Sequence, residues 1–259
     1  MSSPFLSPGL YARARSPMER QALAAGAQIE HRDGWNVAVR FDGEEAERER
    51  RRRSVGFTDV SHLGKIEIQA PPAALAEIVA ACGAGALELG RATRTPGAWW
   101  CPYTPERAIV CCEANATASL RETLEGAASG AGGYASVLDV TCVFGALTIA
   151  GPLARETFAR FTALDLREQA LPLHGFRPGS VARTPGAVLR EGDDRFLMTF
   201  GFALGQYVWT VVADAAESLG GGPVGVDALE PIDERPGDRR SGAGQPAPSR
   251  TTAEVRPGA

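Results

Sequence analysis

The stretch Ser54–Leu75, SVGFTDVSHLGKIEIQAPPAAL, changes character half-way along. Its left half is small and polar. Its right half alternates, with Ile66 and Ile68 apolar and Glu67 and Gln69 polar. A period of two marks a strand with one buried face. Between the halves lies Asp59-Val60-Ser61-His62, an acid, a nucleophile and an imidazole in a row. A Ser-His catalytic pair is defined by geometry, not by adjacency. In an extended segment Ser61 and His62 point to opposite faces, while Asp59 and Ser61 share one. A serine beside an acid gains no general base. The residues themselves read as a turn or cap that orders the entry to the strand Gly64–Gln69.

The same unit recurs about 80 residues later, in VLDVTCVFGALTIAGPLARETFARFT. Both copies read Asp-Val-Ser/Thr, a gap, an alternating strand, a proline and an amphipathic helix. That period is too long for a solenoid. The expected fold class is α+β, with two pseudo-repeated halves, antiparallel sheets inside and helices flanking them.

Outward from these units, other signals are local. PMERQALAAGAQIEHRDGWNVAVRF reads as a short helix, a turn at Gly26 and a hairpin about Asp33-Gly34. PAALAEIVAACGA is a helix closed by glycine. AWWCPY and RAIVCCEA are strands joined at Thr104-Pro105, and YASVLDVT with GALTIAGP reads as a strand pair. SVARTPGAVLREGDDRFLMTFG gives two strands around Gly192-Asp193-Asp194, and ALGQYVWTVVADAAESLGGG a closing helix. GEEAERERRRRS puts acids first and arginines last, which suits a helix dipole. It reads as a solvated helix with ion pairs, or as an arginine-rich contact to a partner or an anionic ligand. Residues 1–15 read as an N-terminal arm and 16–229 as the folded domain. The Pro-, Gly- and Arg-rich segment 230–259 reads as disordered.

Composition sets the outer limits. The 259 residues are 44% hydrophobic and 22% charged, with a formal net charge of -4. No nucleic-acid footprint is expected. No apolar run is long enough for a membrane helix, and the first residues lack a signal-peptide core, so a cytoplasmic location is expected. The five cysteines show no CxxC spacing and read as free thiols; with three histidines in all, no metal site is expected.

FTDVSHLGKIEI resembles a segment of the glycine-cleavage T-protein (aminomethyltransferase) superfamily, LFDVSHMGKIEV. SPMERQALAAGAQIEHRDGWNVAVRF resembles that superfamily's opening. VLDVTCVFGALTIAGPLARETFARFTALDL and GAWWCPYTPERAIVCC look most like the gamma subunit of heterotetrameric sarcosine oxidase. The resemblance covers about residues 16–229 and implies the aminomethyltransferase folate-binding-domain fold. Through it, Asp59, Ser61, His62 and Leu63 are candidate wall residues of a tetrahydrofolate pocket.

The departures from the superfamily carry the functional expectation. Catalytic members bring an acid to the folate pocket from a segment replaced here by PGAWWCPYTPERAIVCC. Their RTGYTGEDGFEL becomes RTPGAVLREGDDRFLMTF, and Glu191 and Asp193 fall in what reads as a hairpin turn. Their C-terminal barrel has no counterpart before the polar tail after Leu229. One-carbon transfer needs a positioned acid and a hydrogen-bonding wall.

The expectation is therefore a non-catalytic, gamma-like subunit of a heteromeric sarcosine or dimethylglycine oxidase-type complex in one-carbon amine metabolism. Such a chain has no catalytic residues and binds no cofactor alone. It docks on a larger flavin- and folate-bearing subunit, through Trp99, Trp100, Arg51 and Arg52. The alternatives are a tetrahydrofolate-dependent aminomethyltransferase-like enzyme and a folate-binding protein without transfer activity.

Overall fold

The structure, a computed structural model, describes residues 14–229. The expected tail, and all but the last two residues of the expected arm, lie outside them. The strands are β1 (Ala14–Arg15), β2 (Gln28–Arg32), β3 (Trp35–Arg40), β4 (Gly56–Asp59), β5 (Gly64–Gln69), β6 (Thr93–Thr95), β7 (Ala98–Thr104), β8 (Arg107–Cys112), β9 (Ser136–Asp139), β10 (Phe144–Ala150), β11 (Phe176–Val181), β12 (Thr184–Gly192), β13 (Arg195–Gly201) and β14 (Gly222–Pro223). The α-helices are α1 (Glu19–Ala24), α2 (Glu44–Arg53), α3 (Pro72–Ala81), α4 (Thr117–Gly130), α5 (Ala154–Ala159) and α6 (Gly205–Glu217).

Local chemistry explains most boundaries. Asp33 and Gly34 both take positive φ, 48° and 83°, as a two-residue hairpin turn requires. Proline occupies the start of α3, where its missing N–H has no helical partner to lose. Beyond its end, Ala84 N–H returns to Val79 O at 3.2 Å past a left-handed Gly83.

Two sheets share one order. The first runs β6-β7-β8-β5-β9, the second β11-β12-β13-β10-β4, with β14 added at its edge. The opening strand of each Asp-Val-Ser/Thr unit leaves its own half: β4 pairs with β10, and β9 with β5. The expected strand pair around Asp139 is therefore corrected. β9 and β10 follow one another in sequence but belong to different sheets. The fold class is α+β as expected, with two short parallel pairs, β1 with β3 and β4 with β14, beside the antiparallel ones.

The core has layers. One cluster lies between the two sheets and includes Val60, Trp99, Cys101, Ile109, Cys111, Ala146, Leu189 and Leu197. A second packs the outer face of the β10 sheet under α1, α5 and α6, through residues such as Phe57, Phe158, Phe196 and Trp209. A third packs the β5 sheet under α3 and α4, with Trp100, Ile66, Ile78 and Leu124.

The charge run folds as α2. Arg48 pairs with Glu44, Arg52 with Glu45 and Glu49, and Arg53 with Glu49. Glu47 departs from that pattern and is fully buried. Its Oε1 accepts N–H groups of Phe41, Asp42 and Gly43 at 2.7, 3.0 and 3.0 Å. Its Oε2 accepts Gly225 N–H at 2.6 Å. A buried carboxylate is tolerated when its lone pairs are filled this way. The clamp ties the helix start to the last described segment.

Candidate functional site: a cleft between the two sheets

Asp59 and Ser61 act on backbone. Asp59 Oδ1 accepts Ser61 N–H at 3.0 Å, an Asx turn. Ser61 Oγ accepts Ala146 N–H at 3.1 Å. Both residues are buried, and neither lines either of the two cavities described below. The turn-or-cap reading of this stretch holds for them. Burial pushes the Asp59 carboxyl above its usual range, against the opposing pull of its hydrogen bonds from Ser16 and Ser61.

His62 and Leu63, the next two residues, do reach a cleft. It encloses about 290 Å³ and opens where the two sheets part. One wall comes from the β5 sheet: Arg94 of β6, Trp99 of β7 and Cys111 of β8. The other comes from the β10 sheet: Thr148, Glu191 and Arg195. Val226 and Leu229 close one side. Burial lowers the His62 imidazole to about 4, with the Lys65 charge adding to the effect, so the ring is neutral at pH 7.

The polar content of the cleft is specific. The Arg94 guanidinium lies 5.5 Å from the Trp99 ring centre, a cation–π contact. Trp99 also meets His174 edge-on at 5.0 Å. Glu191 is 5% exposed, and its Oε2 accepts from Arg195 Nε at 3.0 Å. The sequence reading placed Glu191 in a turn and found no acid for this pocket. The structure corrects both points. Glu191 lies in β12, one residue before its end, at a bulge between Arg190 and Gly192, and a bulge re-aims a side chain out of simple alternation. Arg94 and Arg195 were also missed; a lone cation in a strand carries no signal until its neighbours are known.

A smaller cavity lies beside the cleft. It holds about 10 Å³, room for one water-sized group. Lys65, Cys101, Tyr103, Cys111 and Thr199 line it with apolar neighbours. Lys65 is 1% exposed, and its Nζ donates to Ser61 O and Leu63 O at 2.9 and 2.8 Å. Burial lowers its ammonium to about 8. No group of three or more His, Cys, Asp or Glu side chains suited to a metal ion occurs among the described residues. Nor is any helix there long and apolar enough to cross a membrane.

Of the four expected docking residues, the two tryptophans are buried within this chain. Trp99 and Trp100 are 6% and 1% exposed, because alternation sends one between the sheets and the other beneath α3 and α4. Trp100 is enclosed in the core, whereas Trp99 forms part of the cleft wall. Arg52 is exposed and ion-paired with Glu45 and Glu49, and Arg51 is half-buried on the same helix.

No family model matches the chain. It is 26% identical over 234 residues to an aminomethyltransferase of Streptomyces coelicolor, covering 84% of this chain and 61% of that one. An aminomethyltransferase of Saccharopolyspora erythraea is 27% identical over 236 residues, covering 84% and 62%. The chain thus spans about 60% of the length of these curated relatives. Among solved structures, the glycine cleavage system aminomethyltransferase T of Bartonella henselae superposes with a TM-score of 0.68 at 18% identity, over 83% of this chain and 60% of that one. A chain of the heterotetrameric sarcosine oxidase from Corynebacterium sp. U-96 superposes with a TM-score of 0.64 at 21% identity, over 82% of this chain and 98% of that one. The resemblance read from the sequence therefore stands: in sequence the chain is similar to the aminomethyltransferases, and it has the fold that they share with the sarcosine oxidase chain.

Proposed function

We propose that the chain is a non-catalytic, gamma-like subunit of a heteromeric oxidase that acts on sarcosine or a related N-methyl amine. The observation that carries this reading is the state of the cleft's buried acid. Glu191 is held by Arg195 at 3.0 Å, so its carboxylate is engaged by a guanidinium from its own hairpin. An acid so held is poorly placed to carry a proton to or from a substrate nitrogen. On this reading the cleft is not a tetrahydrofolate-transfer site.

In this reading the two halves are a duplicated unit kept for its architecture. The chain holds no cofactor alone, and its partner is a larger subunit that bears flavin and folate. The exposed arginine face of α2 is its polar contact.

The alternative, a tetrahydrofolate-binding aminomethyltransferase-like protein, draws on one specific feature. The cleft does contain a buried carboxylate beside a tryptophan. Two measurements separate the readings. Co-expression with a flavin-bearing oxidase subunit should give a complex that survives size exclusion. Calorimetry of the isolated chain with tetrahydrofolate should give no micromolar binding. Micromolar binding that Glu191→Gln abolishes would put the alternative first.

A further inference from the structure

We propose that the free edge of β9 docks a second copy of this chain, whose own β9 adds antiparallel to it about a twofold axis. The first sheet ends at β9, which pairs with β5 alone. The matching strand of the second sheet, β4, has its outer edge covered. There β14 runs parallel to it, and Gly222 N–H and Val224 N–H reach Val55 O and Phe57 O at 3.2 and 3.0 Å. Val60 N–H turns the other way, to Ala146 O. At the second junction Val140 N–H turns to Lys65 O. By the same alternation Val137 and Asp139 point their N–H and C=O groups outward. Among the described residues nothing meets those groups.

The surroundings of this edge are apolar. Tyr134, Leu138 and Val143 are 79%, 53% and 54% exposed. From Ser129 to Val143 the only charged residue is Asp139. A lone edge strand is ordinarily blunted by charge, proline or a bulge. β9 has one carboxylate, no proline and an unbroken register with β5.

The pattern fits its own copy. About a twofold axis at Leu138, Val137 of one chain lies opposite Asp139 of the other, and each such pair exchanges N–H and C=O in both directions. Leu138 then faces its counterpart in a non-hydrogen-bonded pair, where side chains come closest. Because the strands run in opposite directions, Tyr134 before one strand approaches Val143 beyond the end of the other. The lone charge agrees: Asp139 stands against Val137, so no like charges oppose each other. Both copies offer the same patch, and the contact closes as a dimer without propagating. This dimer does not depend on the larger oxidase partner proposed above.

The test is sedimentation of the full chain over a range of micromolar concentrations, with hydrogen exchange of the Val137 and Asp139 amides. The expected result is a dimer, with both amides protected where it forms and exchanging where dilution splits it. Leu138→Lys sets two like charges face to face and should weaken the dimer at least tenfold. Leu138→Glu alone should do the same, and an equal mixture of the two variants should regain a dimer with one of each. Val137→Pro removes an outward N–H that the β5 ladder does not use, and it should also give a monomer. Should Val137→Pro fail to fold, the charge-swap mixture at the exposed Leu138 still decides. A wild-type chain that stays monomeric throughout would overturn the proposal. So would a dimer that Leu138→Lys leaves intact, since it would use another surface. Protection of the two amides only on adding a flavin-bearing oxidase subunit would give the edge to that subunit and overturn it as well.

Discussion

The two Asp-Val-Ser/Thr junctions share a hydrogen-bond scheme and differ in nearly everything else. At the first, Asp59 caps Ser61 N–H, Ser61 Oγ takes Ala146 N–H, and Val60 N–H reaches Ala146 O at 3.0 Å. At the second, Asp139 caps Thr141 N–H, Thr141 Oγ1 takes Lys65 N–H, and Val140 N–H reaches Lys65 O at 2.8 Å. Each junction closes on the strand that follows the other. Lys65 and Ala146 therefore occupy matching places, after Gly64 and Gly145. Both glycines are forced by close approach: a Cβ at Gly64 would lie 2.0 Å from Thr117 Oγ1, and one at Gly145 2.6 Å from the Phe200 ring. The first junction is buried and adjoins both cavities, while the second keeps Asp139, Leu138 and Val143 exposed. The repeated residues are thus those the backbone needs. The chemistry sits where the halves differ, at His62, Lys65 and the cleft wall.

Lys65 gives the largest test of that contrast. Its ammonium is lowered by burial to about 8, against 10.5 for the free group. Between those values the unfolded chain binds more protons than the folded one, so stability rises with pH across that window. Below about 8 both states carry the charge, and the burial penalty is fully present. The swing is about 3 kcal/mol. Urea unfolding of the wild type at pH 7.5 and pH 10, each compared with Lys65→Met, isolates it from ionising tyrosines and thiols. A wild-type increment no larger than that of Lys65→Met would remove the charge from the first junction's account.

The hydroxyls come next. Ser61→Ala orphans Ala146 N–H at a fully buried place and also removes the 3.4 Å contact from Ser61 Oγ to Ala146 O. Thr141→Val orphans Lys65 N–H alone. An unsatisfied buried group costs about 1–3 kcal/mol, so both variants lose that order of stability, with Ser61→Ala the larger loss. Chemical denaturation of the two variants checks the ranking. The reverse order would show the exposed junction to be the stronger support.

How much of this was legible in the sequence follows from the range of each interaction. The hairpin at Asp33-Gly34, the start of α3 and the Asx turns are set by residues within a few positions, and they were readable. The exchange of β4 and β9 between sheets was not, because pairing partners are distant in sequence and adjacency suggested the wrong pair. β1 and β14 are two residues each, below any periodic signal. Glu47 hid in a run whose average reads as solvated, although its four N–H donors lie on two separate segments. Trp99 and Trp100 were read by residue type as interface anchors; their strand's alternation, which decides, points both inward. In the cleft, His62 and Leu63 came from the resemblance, whereas Glu191 needed a bulge that no pattern announces.

The smallest expected effect concerns the two aspartates. Each accepts one N–H within its own turn, Asp59 from Ser61 at 3.0 Å and Asp139 from Thr141 at 2.9 Å. Removing Asp139 exposes Thr141 N–H at a site where water can replace the carboxylate, because Asp139 itself is exposed. Asp139→Ala should therefore cost about 0.5–1 kcal/mol, the value of a solvent-accessible cap. Asp59 is buried, so no water follows its removal, and its loss leaves the Ser61 N–H without an acceptor. The carboxyl is also held above its usual range by that burial, so part of its cost as a charged group disappears with it. Asp59→Asn separates these contributions. It keeps an oxygen for Ser61 N–H and removes the ionisable group. Thermal unfolding at pH 7 should place Asp59→Asn near the wild type and Asp59→Ala well below Asp139→Ala. Equal losses at Asp59 and Asp139 would mean that burial adds nothing to the cap, and the distinction between the junctions would then rest on Lys65 alone.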